Sequence, residues 1–153
     1  MTFHDSSLPP LQAEEVESLA TAVAGSVLRP GAAGYDEERA VFNLNHELAP
    51  ALIVVAESAA DVQAAVAFAA ARSRPVLVKT TGHQMVDPAR EAVVIATHRM
   101  NDVVIDVVGR TARVGAGALW SDVVTAADSI FWASGWPMCC GHGPPGCRTP
   151  RRP

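Results

Sequence analysis

An α+β domain, organised around a β-α-β unit with further strands and a closing helix, is the fold class this sequence predicts. Three observations carry the prediction. Short β-branched runs, 51–56, 75–80 and 92–97, begin at or near Pro50, Pro75 and Ala92, as buried strands do. Between the first two lies an Ala-rich segment opened by Ser58-Ala-Ala-Asp61, which reads as a capped helix. A later β-branched stretch is divided by Gly109 into two strands, 102–107 and 111–115, joined by a turn.

Each element has a local cause. Pro9 and Pro10 precede a helix over 11–24, where Val16, Leu19 and Val23 recur at spacings of three and four and define one apolar face; Gly25 is its stop. Residues 26–43 read as an irregular entry with a Pro30-Gly31 turn, followed by a short helix. The helix from Ser58 places Val62, Ala65, Val66 and Ala69 on one face, and Pro75 ends it before the next strand. A crossover of this length joins parallel strands with right-handed sense, so the loop after Val78 leaves the carboxyl end of a strand, where open α/β sheets bind ligands. The last predicted helix begins at Gly117 and carries Leu119, Val123 and Ala127 at four-residue spacing.

A chain of 153 residues suits one folding unit with a moderate core, and no internal repeat is visible. The formal charge of -4 gives no basic surface for nucleic acid. The longest apolar runs are too short to span a bilayer, and residues 1–10 lack the basic start and apolar stretch of a signal peptide, so the expectation is a cytoplasmic protein with no membrane partner. Composition changes sharply after Ala127. Residues 128–153 hold Cys139, Cys140 and Cys147, two of the three tryptophans and five of the eleven prolines, and their net charge is +2 against -6 for the rest. This tail is expected to lack a stable fold, because clustered Gly and Pro interrupt helix and strand alike.

The chemistry concentrates in Val76-Leu-Val-Lys-Thr80-Thr81-Gly82-His83-Gln84, where a short apolar strand runs into a Gly-His turn. A glycine there lets backbone N–H groups approach an anionic ligand, and the histidine adds a nucleophilic imidazole. That combination suits a flavin pyrophosphate: donors for two phosphates and a neighbouring reactive side chain. A second glycine pair, Gly115-Ala116-Gly117, can bring backbone close to the adenine or ribose side of such a ligand, or simply relieve crowding at a strand-to-helix turn.

With its flanks, this stretch resembles the FAD-binding domain of the vanillyl-alcohol oxidase, p-cresol methylhydroxylase (PCMH) and berberine bridge enzyme family. The likeness rests on the Pro-Gly turn leading to Tyr35, Arg39 and Asn43, on Thr-Thr-Gly-His83, on Arg99-Met-Asn101, on Val114-Gly-Ala-Gly117 and on Leu119-Trp-Ser-Asp-Val123. It covers roughly residues 29–128. The resemblance implies a partial PCMH-type FAD-binding domain over 29–127, with an N-terminal helix and lead-in over 1–28 before it. It implies FAD as cofactor, with Thr80, Thr81, Gly82 and Gln84 at the pyrophosphate loop and His83 at the position that often bonds covalently to the flavin's 8α-methyl carbon. Such a bond anchors the cofactor and makes it a stronger oxidant. The family's usual run is Arg-x-Gly-Gly-His; here it is Lys79-Thr-Thr-Gly-His, so Thr81 puts a Cβ where a glycine usually stands.

Ordinary roles stand beside these. Thr80 and Thr81 also fit β-branched strand-end positions, Trp120 fits a packing residue better than a flavin stacker, and Asp61 and Asp122 read as helix-start surface acids. His46 and His98 lie in loops without a metal-like partner nearby in sequence. Cys139-Cys140-x-His142-x-x-x-x-Cys147 has the residue types of a zinc site without its paired Cys-x-x-Cys spacing, so no metal is expected.

Members of this family continue from the Leu-Trp-x-Asp-Val helix into a second glycine-rich flavin loop and then a substrate domain. The tail from Asp128 matches neither, and its enrichment in Cys, Trp, Pro and Arg is what out-of-frame translation of a GC-rich gene produces, so a frameshifted or truncated product is expected. Two function classes follow. One is an FAD-dependent oxidoreductase that removes hydride from a C–H bond of a small-molecule substrate, inactive as this chain alone. The other is a non-catalytic remnant or small α/β binding module. Flavin content separates them.

Overall fold

The computed structural model describes residues 8–41, 48–83 and 91–134. Its order is α1 (Ala13–Ala22), β1 (Ser26–Leu28), α2 (Tyr35–Arg39), β2 (Leu52–Val55), α3 (Ala59–Ala70), β3 (Val76–Lys79), β4 (Val93–Ala96), β5 (Val103–Asp106), β6 (Thr111–Val114) and α4 (Trp120–Ser134). The expected α+β class holds, and five strands fall within the predicted ranges.

Four strands form one sheet in the order β1-β2-β4-β3; β5 and β6 form a separate antiparallel pair. β2 and β3 each run parallel to β4, in registers Leu52 to Val93 and Val76 to Val93. The β2-α3-β3 unit therefore exists, but its strands are not neighbours: β4 inserts between them. β1 runs antiparallel to β2, where the sequence suggested only an irregular entry. Three residues are too few for an alternating pattern to show.

β2 and β4 are buried throughout, as strands covered on both faces must be. Alternation sorts their side chains between two cores. Leu52, Val54, Val93 and Ile95 meet Val16, Leu19 and Val23 of the α1 region and Ala65, Phe68 and Ala69 of α3. Ile53, Val55, Val94 and Ala96 face Tyr35 of α2. Each such valine, leucine or isoleucine contributes about 1.5–3 kcal/mol when fully buried.

The predicted face of α1 is the buried one. That of α3 is rotated: its buried residues are Asp61, Ala65, Phe68 and Ala69, whereas Val62 is half-buried and Val66 is exposed. Asp61 is the reason. It is no surface acid; only 2% exposed, its carboxylate accepts backbone N–H bonds from Ala24, Gly25 and Glu57 at 3.0, 3.2 and 2.9 Å. Burial would raise its pKa, but these N–H groups together with Ser58 outweigh that and hold it below the ordinary carboxylate value. Ser58 caps α3 as expected, its Oγ accepting from Asp61 N.

The tail requires a second correction. α4 runs without interruption through residues 128–134, so the chain does not lose regular structure at Asp128. Gly135 is the first glycine or proline after Gly117, and nothing before it breaks a helix. The remainder of the expected disordered tail, with Cys139, Cys140, His142 and Cys147, lies outside the described residues, as does His46. Among the described residues no helix is long and apolar enough to cross a membrane.

Candidate functional site

Parallel strands β3 and β4 end together, Lys79 opposite Ala96, and the segments leaving their carboxyl ends meet. Thr97 extends the pairing, its N–H donating to Lys79 O at 2.9 Å. Beyond it the chain turns, with Met100 N bonded to Thr97 O at 2.8 Å. The Gly115-Ala116-Gly117 segment packs back on this turn: Gly115 N donates to Asp102 O at 2.8 Å and Gly117 N to Met100 O at 2.9 Å.

Both glycines are required by that packing. A Cβ on Gly115 would lie 2.0 Å from Met100 O, and one on Gly117 would lie 1.9 Å from Thr97 O. Their role seen here is to let two backbones touch. Contact with adenine or ribose has no separate support from their geometry.

Thr80 joins the β3 loop to this glycine turn. Its Oγ1 lies 2.7 Å from Thr97 Oγ1 and 3.2 Å from Ala116 O. Thr97, 17 residues away in sequence and buried, carries none of the motifs singled out above. Past Thr80 the loop opens: Thr81 is exposed, Gly82 is buried with φ +76, and His83 is exposed. Gly82 thus occupies the left-handed region that favours glycine. Thr81 is not among the positive-φ residues, so its Cβ meets no backbone strain there. Gln84 lies outside the described residues.

Beneath the loop sits a buried cation. Lys79, 8% exposed, donates from Nζ to Glu38 O at the end of α2. Burial lowers its pKa, and the nearby Glu38 carboxylate only partly opposes this. Glu38 also pairs with His98, Nε2 to Oε1 at 3.5 Å. Tyr35 and Arg39 anchor the entry segment, donating to Pro50 O at 2.6 Å and Leu48 O at 3.1 Å. Trp120 is not packed as expected, being 78% exposed. Asp122 does take its helix-start position, accepting from Leu119 N at 2.9 Å. Among the described residues no group of three or more His, Cys, Asp or Glu is placed to hold a metal.

A cavity of about 430 Å³ lies elsewhere. Its lining includes Ala51, Arg74 and Glu91, which precede β2, β3 and β4, so it opens at the amino ends of the parallel strands. Ligands in open α/β sheets bind at the carboxyl ends, and that end carries Thr80 to His83.

Comparisons with known proteins bear on the family and the fold. A family model described as an FAD binding domain matches residues 50–143. Among curated proteins, (R)-6-hydroxynicotine oxidase of Paenarthrobacter nicotinovorans is 30% identical over 107 residues, covering 69% of this chain and 23% of its own length. An uncharacterized oxidoreductase, ORF5 of the fasciation locus of Rhodococcoides fascians, is 38% identical over 79 residues, 50% of this chain and 18% of its own. The crystal structure of 6-hydroxy-D-nicotine oxidase from Arthrobacter nicotinovorans superposes with a TM-score of 0.64 at 28% identity, covering 71% of this chain and 24% of that one. The chain spans about a quarter or less of the length of these relatives. With its mixed sheet, its helices and a match over more than half its length, the chain belongs to the PCMH-type FAD-binding domain family.

Proposed function

We propose that this chain is the flavin-binding part of an FAD-dependent oxidoreductase, holding the pyrophosphate at the loop Thr80 to His83. The observation that carries the reading is Gly82 at φ +76, flanked by exposed Thr81 and His83 where a parallel strand ends. A left-handed glycine in a turn can bring successive N–H groups to one side, as an anion nest requires. The residues present fit the cofactor: backbone N–H groups of the loop and the exposed Thr81 hydroxyl for the phosphates, and an accessible imidazole beside them.

Bound FAD supplies the capacity to accept a hydride from a substrate C–H bond and pass the electrons to oxygen or another acceptor. The chain's own residues bind and orient. His83 would tether the cofactor through a bond between an imidazole nitrogen and the 8α-carbon. Forming that bond would release two protons and two electrons, so it would need an oxidant such as dioxygen. The isolated 153 residues are expected to bind flavin without oxidising substrate.

Reconstitution with FAD followed by acid precipitation tests this. Wild type should retain flavin in the precipitate; His83→Ala should release all of it while keeping most non-covalent affinity. Equal acid-releasable flavin in both proteins would remove the covalent bond, and absence of any flavin binding would remove the cofactor.

A further inference from the structure

We infer that Thr97 is a positioning residue for the flavin loop, acting through Thr80 and Ala116; the link to cofactor affinity rests on the flavin reading above. Thr97 is 3% exposed and sits where three segments converge. Its N–H holds Lys79 O at 2.9 Å, its carbonyl faces the space that a Cβ on Gly117 would enter, and its hydroxyl lies 2.7 Å from that of Thr80.

Proton counting leaves two directions for the chain of bonds, since either hydroxyl can donate to the other. Two hydroxyls and one carbonyl share two protons. One hydroxyl donates to the other, which then donates to Ala116 O. Thr80 Oγ1 is 3.2 Å from that carbonyl and Thr97 Oγ1 is 3.4 Å, so the shorter path runs from Thr97 to Thr80 to Ala116. In this arrangement the buried Thr97 hydroxyl fixes the rotamer of Thr80, and Thr80 binds the start of the loop to the glycine turn. With its hydroxyl used within the protein, Thr80 would meet a phosphate by its backbone, and Thr81 is the exposed threonine of the loop.

Thr97→Val keeps the shape and removes the donor; Thr97→Ser restores the hydroxyl. Amide hydrogen exchange and FAD titration are measured on both variants and on wild type. The Val variant should exchange faster at 80–83 and 115–118 while β2 and β4 keep their protection. Its FAD dissociation constant should rise about three- to tenfold, the usual effect of one neutral hydrogen bond. The Ser variant should restore both. Unchanged exchange at 80–83 in Thr97→Val would overturn the positioning role whatever happens to flavin. Faster exchange with unchanged affinity would overturn its link to the cofactor. If wild type binds no FAD, the flavin reading and with it the link to affinity fail, and exchange alone decides whether Thr97 positions the loop.

Discussion

The carboxylate of Asp61 accepts the backbone N–H of Gly25 at 3.2 Å across 36 residues of sequence, tying the start of α3 to the turn between α1 and β1. Gly25 also lies close against β2: a Cβ there would lie 1.8 Å from Val55 O. One buried acid thus joins the α1–β1 turn, the segment after β2 and the start of α3.

Asp61→Asn should destabilise the protein by about 2–3 kcal/mol at pH 7, because charge-assisted bonds weaken and an amide NH2 must face backbone donors. The pH dependence has a definite sign. The folded-state pKa is depressed, so the stabilisation is fully present above the unfolded value near 3.9 and is lost as pH falls through the folded value. Chemical denaturation of both proteins between pH 7 and pH 2 should show their difference shrinking only below about pH 4; a constant difference would refute the account.

Lys79 behaves in the opposite sense. Its folded pKa is lowered by burial, so the unfolded chain binds more protons and stability should climb as pH rises toward the unfolded value of about 10.4. Lys79→Met removes the buried charge and should leave stability at pH 7 equal or higher, with the alkaline rise abolished. A large loss of stability would mean that the bond to Glu38 O outweighs the burial penalty.

Gly117→Ala should cost about 1–3 kcal/mol, the range for forced overpacking, since the new Cβ would lie 1.9 Å from Thr97 O and neither backbone can yield cheaply. At Gly31 the same change meets nothing within 4 Å, and only its φ of +83 opposes it, so about 1–2 kcal/mol is expected there. Solution structures separate the two better than stabilities do: Gly117→Ala should displace the 97–102 turn, Gly31→Ala should not.

Much of the fold was legible because its signals are local. Prolines 50 and 75 and Gly109 mark the strand boundaries, and Val16, Leu19 and Val23 repeat with a helix period. Elements specified by distant partners were not legible. β1 exists only by pairing with β2. An Ala-rich helix offers apolar residues on every side, so the inward pull on Asp61, rather than the spacing of Val62 and Val66, chooses the face of α3. At the site, Gly82 and His83 stand out in the sequence, whereas Thr97 becomes visible only when the folded chain brings it 2.7 Å from Thr80.

The central claim, that the Thr80 to His83 turn binds FAD, is tested most directly by titrating FAD against the 153-residue chain and against Gly82→Val while following flavin fluorescence, with circular dichroism confirming that both are folded. A β-branched side chain is strongly disfavoured at φ +76 and would disrupt the turn. The account predicts saturable binding to wild type and its loss in the variant. Equal binding by both proteins, or no saturable signal from wild type, would contradict it.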